Sequence, residues 1–213
     1  AAIDPRVKIT FKGEDEEQRQ AEAFLGKALL VALFVMAIIL VTQFNSFYSA
    51  LLILTSVIMS TIGVFIGLLV TGQPFGIVMS GIGVIALAGI VVNNNIVLID
   101  TYDRLKKTAS SARDAILETG AQRIRPVLLT SVTTMLGLLP MVSGVNIDFI
   151  AREVSIGAPS MQWWAQLSTS IVFGLGFATV LTLVVTPCAL MIKANFHDWR
   201  ARRREGGEAA PTA

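Results

Sequence analysis

Three consecutive amides, Asn93, Asn94 and Asn95, lie inside a run of 72 residues, 28–99, without a single charged side chain. An amide both donates and accepts, so it can bind a carboxylate whether that group is charged or neutral. At about 100° per residue the three cannot share one helix face. Asn93 aligns with Val97 and Asp100, and Gly89 stands one turn before it. A second set, Arg123, Val127, Thr130, Thr134 and Gly137, is spaced i, i+4, i+7, i+11 and i+14, which is one helix face. The guanidinium stays protonated at any relevant pH, and a hydroxyl stripe leads from it into apolar sequence. This second face reads as a water-lined polar path to the cytoplasm. Plainer readings stand beside it. The amides, Asn95 above all, can be interhelical glue, worth about 0.6–2 kcal/mol per bond. Arg123 can snorkel to phosphates, and the threonines can bond back to their own helix.

The elements that must carry these residues follow from the distribution of charge. Of 213 residues, 54% are apolar, with 17 Lys and Arg and 15 Asp and Glu. Besides 28–99, residues 126–147 and 154–192 are uncharged. A membrane span needs about 20 apolar residues, so the three runs hold three, one and one spans. A soluble domain is excluded, because its helices would place charge on a wet face every few residues. Disorder is excluded by the hydrophobicity. A β-barrel would alternate in segments of about 10 residues, whereas these are solid blocks of Leu, Ile, Val, Met and Ala. The net charge of +2 argues against a nucleic-acid partner.

Five transmembrane helices are therefore expected, at about 27–43, 50–70, 78–99, 126–142 and 168–191. Before them, Ile3, Val7, Ile9 and Phe11 alternate with polar residues as a short strand would, and an acid-led helix start follows Gly13. Residues 100–125 read as a charged loop with a short helix capped by Ser110 or Ser111 and ended by Gly120. Pro126 suits the first turn of the fourth span. Residues 143–164 read as a mixed polar loop, with Trp163 and Trp164 at the membrane interface. Gly63 and Gly67 form a G-x-x-x-G for close helix packing. Pro187 is expected to kink the last span, and residues 193–213 form a basic tail expected to be disordered.

Five spans put the termini on opposite sides. Loop 100–125 carries six basic residues and the tail five, against only Arg152 in 144–164. The positive-inside rule makes the loop and tail cytoplasmic and the N-terminal segment external. That segment has no secretory signal, so a piece of a longer chain is expected. Within the apolar runs there is no Asp, Glu, Lys or His. A proton carrier needs a titratable intramembrane group, which must then come from elsewhere. One cysteine, Cys188, and one histidine, His197, offer no metal or cofactor site. An enzyme is the least favoured class.

The segments FLGKALLVALFVMAIILVTQFNSF, GIVVNNNIVLID and RIRPVLLTSVTTMLGLLPM resemble the resistance-nodulation-division (RND) superfamily of export permeases, in order and spacing. The resemblance implies an all-α membrane fold, five helices corresponding to the last five of twelve. Residues 1–26 would be the strand and helix remnant of a periplasmic domain, 27–192 the transmembrane domain and 193–213 the cytoplasmic tail. It implies proton-driven efflux of drugs or amphiphiles across the bacterial inner membrane. The implied partners are the N-terminal half with its intramembrane aspartates, two further copies in a homotrimer, a periplasmic adaptor, an outer-membrane channel and the lipid bilayer, with no cofactor. The family's relay arginine and threonine fall on Arg123 and Thr130. Its lysine falls on Asn93, followed by Asn94, and an asparagine cannot ionise. The resemblance thus implies a relay in which an aspartate elsewhere titrates and the two amides tune it. The alternatives are a stand-alone membrane protein without transport, or a superfamily member moving lipid or protein.

Overall fold

The computed structural model describes residues 14–148, 153–156 and 159–208. Five long helices carry the fold: α1 (Glu14–Phe44), α2 (Phe47–Thr71), α3 (Ile77–Leu105), α4 (Ala112–Val142) and α5 (Pro159–Glu208). All five are long and apolar enough to cross a membrane. The strand expected near the N-terminus lies outside the described residues.

The helix ends follow local chemistry. Asn45, at φ 46°, turns the chain between α1 and α2; asparagine is one of the few non-glycine residues that visits this region readily. Ser46 then caps α2 by accepting from the Ser49 amide at 3.4 Å. Gly72, at φ 65°, closes α2 in a Schellman arrangement. Its amide reaches Leu69 O at 3.3 Å and the Gln73 amide reaches Leu68 O at 3.0 Å. Ser111, one of the two serines expected to cap, is the cap of α4. It accepts from the Asp114 amide at 3.1 Å, and its hydroxyl donates to Asp114 Oδ2 at 2.7 Å.

Several expected boundaries move. The acid-led helix and the first span are one helix, because residues 14–26 are rich in Glu, Gln and Ala, all strong helix formers. Gly120 and Pro126 do not interrupt α4. A central glycine costs about 1 kcal/mol, which burial of Ala115, Ile116 and Thr119 on one face outweighs. The loop expected over 143–164 contains an antiparallel hairpin, β1 (Val145–Asp148) with β2 (Glu153–Ile156), in which Val145 pairs with Ile156. The tail expected to be disordered from residue 193 instead continues α5 to Glu208; its Ala, Arg and Glu content favours that extension. α5 is also continuous through Pro187.

α5 is the axial helix, packing against α2, α3 and α4, while α1 leans on α2 and α3. Close approach depends on the glycine pair. A Cβ at Gly63 would collide with the Cβ of Phe177, and one at Gly67 with the Cβ of Phe173. The fold is apolar outside and partly polar inside. Leu30, Phe34, Ile38, Leu129 and Leu136 are exposed, whereas Ser60, Ser80, Asn95, Ser131, Thr182 and Thr186 are buried. Hydrocarbon accepts apolar side chains, so hydroxyls and amides gain by turning toward protein.

Candidate functional site

The three asparagines separate as their angular offset demands. Asn93 is exposed, Asn94 half-buried and Asn95 fully buried. Asn95 faces α5. Its Nδ2 donates to Val91 O at 3.0 Å and to Thr182 Oγ1 at 3.1 Å, and its Oδ1 accepts from Thr186 Oγ1 at 2.9 Å. This is the interhelical role read for it in the sequence. A second buried link joins α4 to α5, a hydroxyl–hydroxyl hydrogen bond of 2.8 Å between Thr179 Oγ1 and Ser131 Oγ. Neither Thr179, Thr182, Thr186 nor Ser131 was singled out from sequence. The i, i+4 spacing of Thr182 and Thr186 within an uncharged run was the available signal.

Asn93 and Asn94 stand apart from that network; α3 also packs against α4, and the two helices form a seam. These helices are joined by the short segment 106–111 and so run antiparallel. The lower end of the seam is pinned where Arg123 Nε donates to Thr101 Oγ1 at 2.6 Å. Seven residues are nearly two full turns, so Asn94 lies almost directly above Thr101 on α3 and Thr130 almost directly above Arg123 on α4. Each step is about 10 Å along its axis. Asn94 and Thr130 thus stand at one depth. Asn93, Thr130 and Gly137 are all exposed. A Cβ at Gly89 or Gly137 would meet nothing within 4 Å. Among the described residues nothing covers the two helices beside Gly89 and Gly137.

The hydroxyls bond back to their own helix. Thr130 Oγ1 donates to Pro126 O at 3.0 Å, and Thr134 Oγ1 to Thr130 O at 2.8 Å. With each proton so committed, the oxygen lone pairs remain available as acceptors. Arg123 is half-buried. Its two Nη groups have no hydrogen-bond partner among the described residues, since the Nε contact is the one it makes. Asp100, one helix face with Asn93, instead pairs with Arg104 at 3.0 Å near the end of α3. The observed contact between the two helices is Arg123 with Thr101, which the sequence reading passed over; helix periodicity aligns Asn94 with Thr101 on α3 and Thr130 with Arg123 on α4. No group of three or more His, Cys, Asp or Glu converges among the described residues.

The chain is similar to proteins of several named kinds. The swarming motility protein SwrC of Bacillus subtilis (strain 168) is 33% identical over 190 residues, covering 89% of this chain and 17% of SwrC. The cobalt-zinc-cadmium resistance protein CzcA of Cupriavidus metallidurans is 30% identical over 193 residues, covering 88% of this chain and 17% of CzcA. The multidrug resistance protein MdtC of Edwardsiella ictaluri is 30% identical over 202 residues, covering 92% of this chain and 18% of MdtC. A crystal structure of a heavy metal efflux pump superposes with a TM-score of 0.70 at 29% identity, covering 90% of this chain and 18% of the pump. The chain therefore spans about a sixth of the length of these relatives. Residues 2–194 match the AcrB/AcrD/AcrF family. Together with the five-helix membrane fold, that match places the chain in the AcrB/AcrD/AcrF family of RND efflux permeases.

Proposed function

We propose that this chain forms the C-terminal transmembrane part of a proton-driven export permease, and that the open α3–α4 seam is one wall of its proton path. The observation that carries this reading is the placement of Arg123 at the foot of the seam, with Asn94 and Thr130 level above it and the adjoining side uncovered. A permanent cation with free donors, set among amides and hydroxyl acceptors, suits a carboxylate that gains and loses a proton. That carboxylate would come from the remainder of the permease. Asn93 and Asn94 would hold it in either protonation state, and Arg123 would stabilise its charged form.

On this reading the α3–α4 connection and the end of α5 face the cytoplasm, where the basic residues concentrate, and the start of α1 faces the periplasm. The protein resides in the inner membrane and works as a homotrimer with a periplasmic adaptor and an outer-membrane channel. Drugs or amphiphiles are the first cargo reading, supported by the similarity to MdtC. Metal ions are the second, favoured by the fold match to a heavy metal efflux pump and the similarity to CzcA. The test is transport by the full-length permease of ethidium and of Co²⁺ in cells and proteoliposomes. Asn93→Ala, Arg123→Gln and Thr130→Val should each lower gradient-driven transport by about 10-fold or more. Unchanged transport in all three would overturn the assignment. Which probe moves decides the cargo class.

A further inference from the structure

We infer that Thr101 is the positioning residue that aims Arg123 into the α3–α4 seam. The inference rests on the reading of that seam as a proton path. Thr101 lies on α3, is only 4% exposed, and accepts from Arg123 Nε at 2.6 Å. An arginine offers five N–H donors and no acceptor. The threonine oxygen must therefore be the acceptor, and its single hydrogen must point elsewhere. It does so: Thr101 Oγ1 donates to Val97 O at 2.8 Å, one turn back on α3. The hydroxyl is thus locked from both sides. Its proton is held by the backbone of α3, and its lone pair is presented outward to α4.

The choice of guanidinium atom matters. Nε is the nitrogen nearest the aliphatic stem. Fixing it restricts the orientation of the whole group and leaves both Nη groups without a hydrogen-bond partner among the described residues. A threonine bonded at Nη would have occupied one of the four Nη donors in place of the single Nε–H. A half-buried arginine on a membrane helix otherwise has the length to snorkel toward the nearest water. The Thr101 clamp removes that freedom, so the cation stays at the foot of the seam below Asn94 and Thr130. Preorganised charge of this kind acts without reorganisation at the moment of transfer. Thr101 touches neither cargo nor the titrating group; it acts through Arg123.

The experiment compares Thr101→Val, Thr101→Ser and Arg123→Gln in the full-length permease, reconstituted with an imposed proton gradient and ethidium or Co²⁺ as the transported probe. Thr101→Val keeps the shape and removes the acceptor. It should lower the maximal rate about 10-fold while leaving the KM for the probe unchanged. Thr101→Ser, which keeps the hydroxyl, should restore the rate. Wild-type rates for Thr101→Val alongside a dead Arg123→Gln would overturn the positioning role and leave the seam reading intact. Wild-type rates for Arg123→Gln as well would overturn both. Should Thr101→Val fail to fold, Thr101→Cys supplies a side chain of similar size with a weak acceptor. A double-mutant cycle on thermal unfolding reads the Thr101–Arg123 contact whatever the cargo. Losses that do not add support the clamp, and strictly additive losses overturn it.

Discussion

Asn95 and Thr186 join α3 to α5 through a buried hydrogen bond of 2.9 Å, with Thr186 Oγ1 donating and the amide oxygen accepting. Thr182, one turn earlier, accepts from the same amide at 3.1 Å. One side chain therefore meets two rungs of the axial helix, and the third contact, to Val91 O, holds the amide in register. In a membrane, where lipid offers no competing partner, such a fork sets the rotation of α3 about its own axis.

Replacing Asn95 by Leu should destabilise the folded helices by about 1–3 kcal/mol, since it removes two interhelical bonds and inserts a branched group between two hydroxyls. The measurement is the thermal midpoint of the full-length protein in detergent. Asn93→Leu is the control. Asn93 is exposed, so that change should shift the midpoint little while impairing transport. Equal loss of stability from both would contradict the separation of roles.

The glycine pair on α2 gives an opposite contrast of space. Gly63→Ala and Gly67→Ala place a methyl group against Phe177 and Phe173. Each should cost about 1–3 kcal/mol through overpacking and separation of α2 from α5. Gly89→Ala and Gly137→Ala meet nothing within 4 Å. They should be neutral or stabilise their helices by up to about 1 kcal/mol. Comparing the four thermal midpoints tests whether α2 or the open seam is the tightly packed surface.

The cap of α4 makes a local prediction. Ser111→Ala removes both the bond from the Asp114 amide and the bond to its carboxylate. It should weaken the first turn of α4 by about 1 kcal/mol, read as faster hydrogen exchange of the Asp114 amide. Ser110→Ala removes one bond to the Asp114 carboxylate, at 3.0 Å, and no backbone bond. Its effect on that amide should be smaller.

The corner between α1 and α2 is held to α5 by Tyr48, whose hydroxyl donates to Ala189 O at 2.7 Å while Lys193 Nζ lies 4.8 Å from its ring centre. Tyr48→Phe should cost about 0.5–1.5 kcal/mol by removing the bond and keeping the ring. Lys193→Met should cost about 0.5–1 kcal/mol. The two losses should add, because the hydroxyl and the ring face are separate contacts; strong coupling between them would refute that division.

Much of this architecture was legible in the chain itself. The uncharged stretches predicted five spans, and five helices of sufficient length and hydropathy are present among the described residues. Arg123, chosen with Thr130 for one helix face, does meet α3, through Thr101. The boundaries were less legible. Hydropathy marks where lipid ends, whereas backbone hydrogen bonding carries a helix on into polar sequence. That is why α1 begins at Glu14, α4 runs through Gly120 and Pro126, and α5 continues to Glu208. The hairpin of β1 and β2 was hidden because four-residue strands leave too short a pattern to separate from a loop.

Sequence alone determined that this is a bundle of membrane helices and which polar residues it must accommodate, because charge and hydropathy are properties of each side chain and need no neighbour. Tertiary structure decided which of three adjacent asparagines became structural and which did not. With about 100° between successive side chains, that outcome depends on which face of α3 meets α5, and Thr182 and Thr186 claim Asn95. Tertiary structure also paired Arg123 with Thr101 across 22 residues of chain. No periodicity records that contact, because it exists only where two antiparallel helices meet.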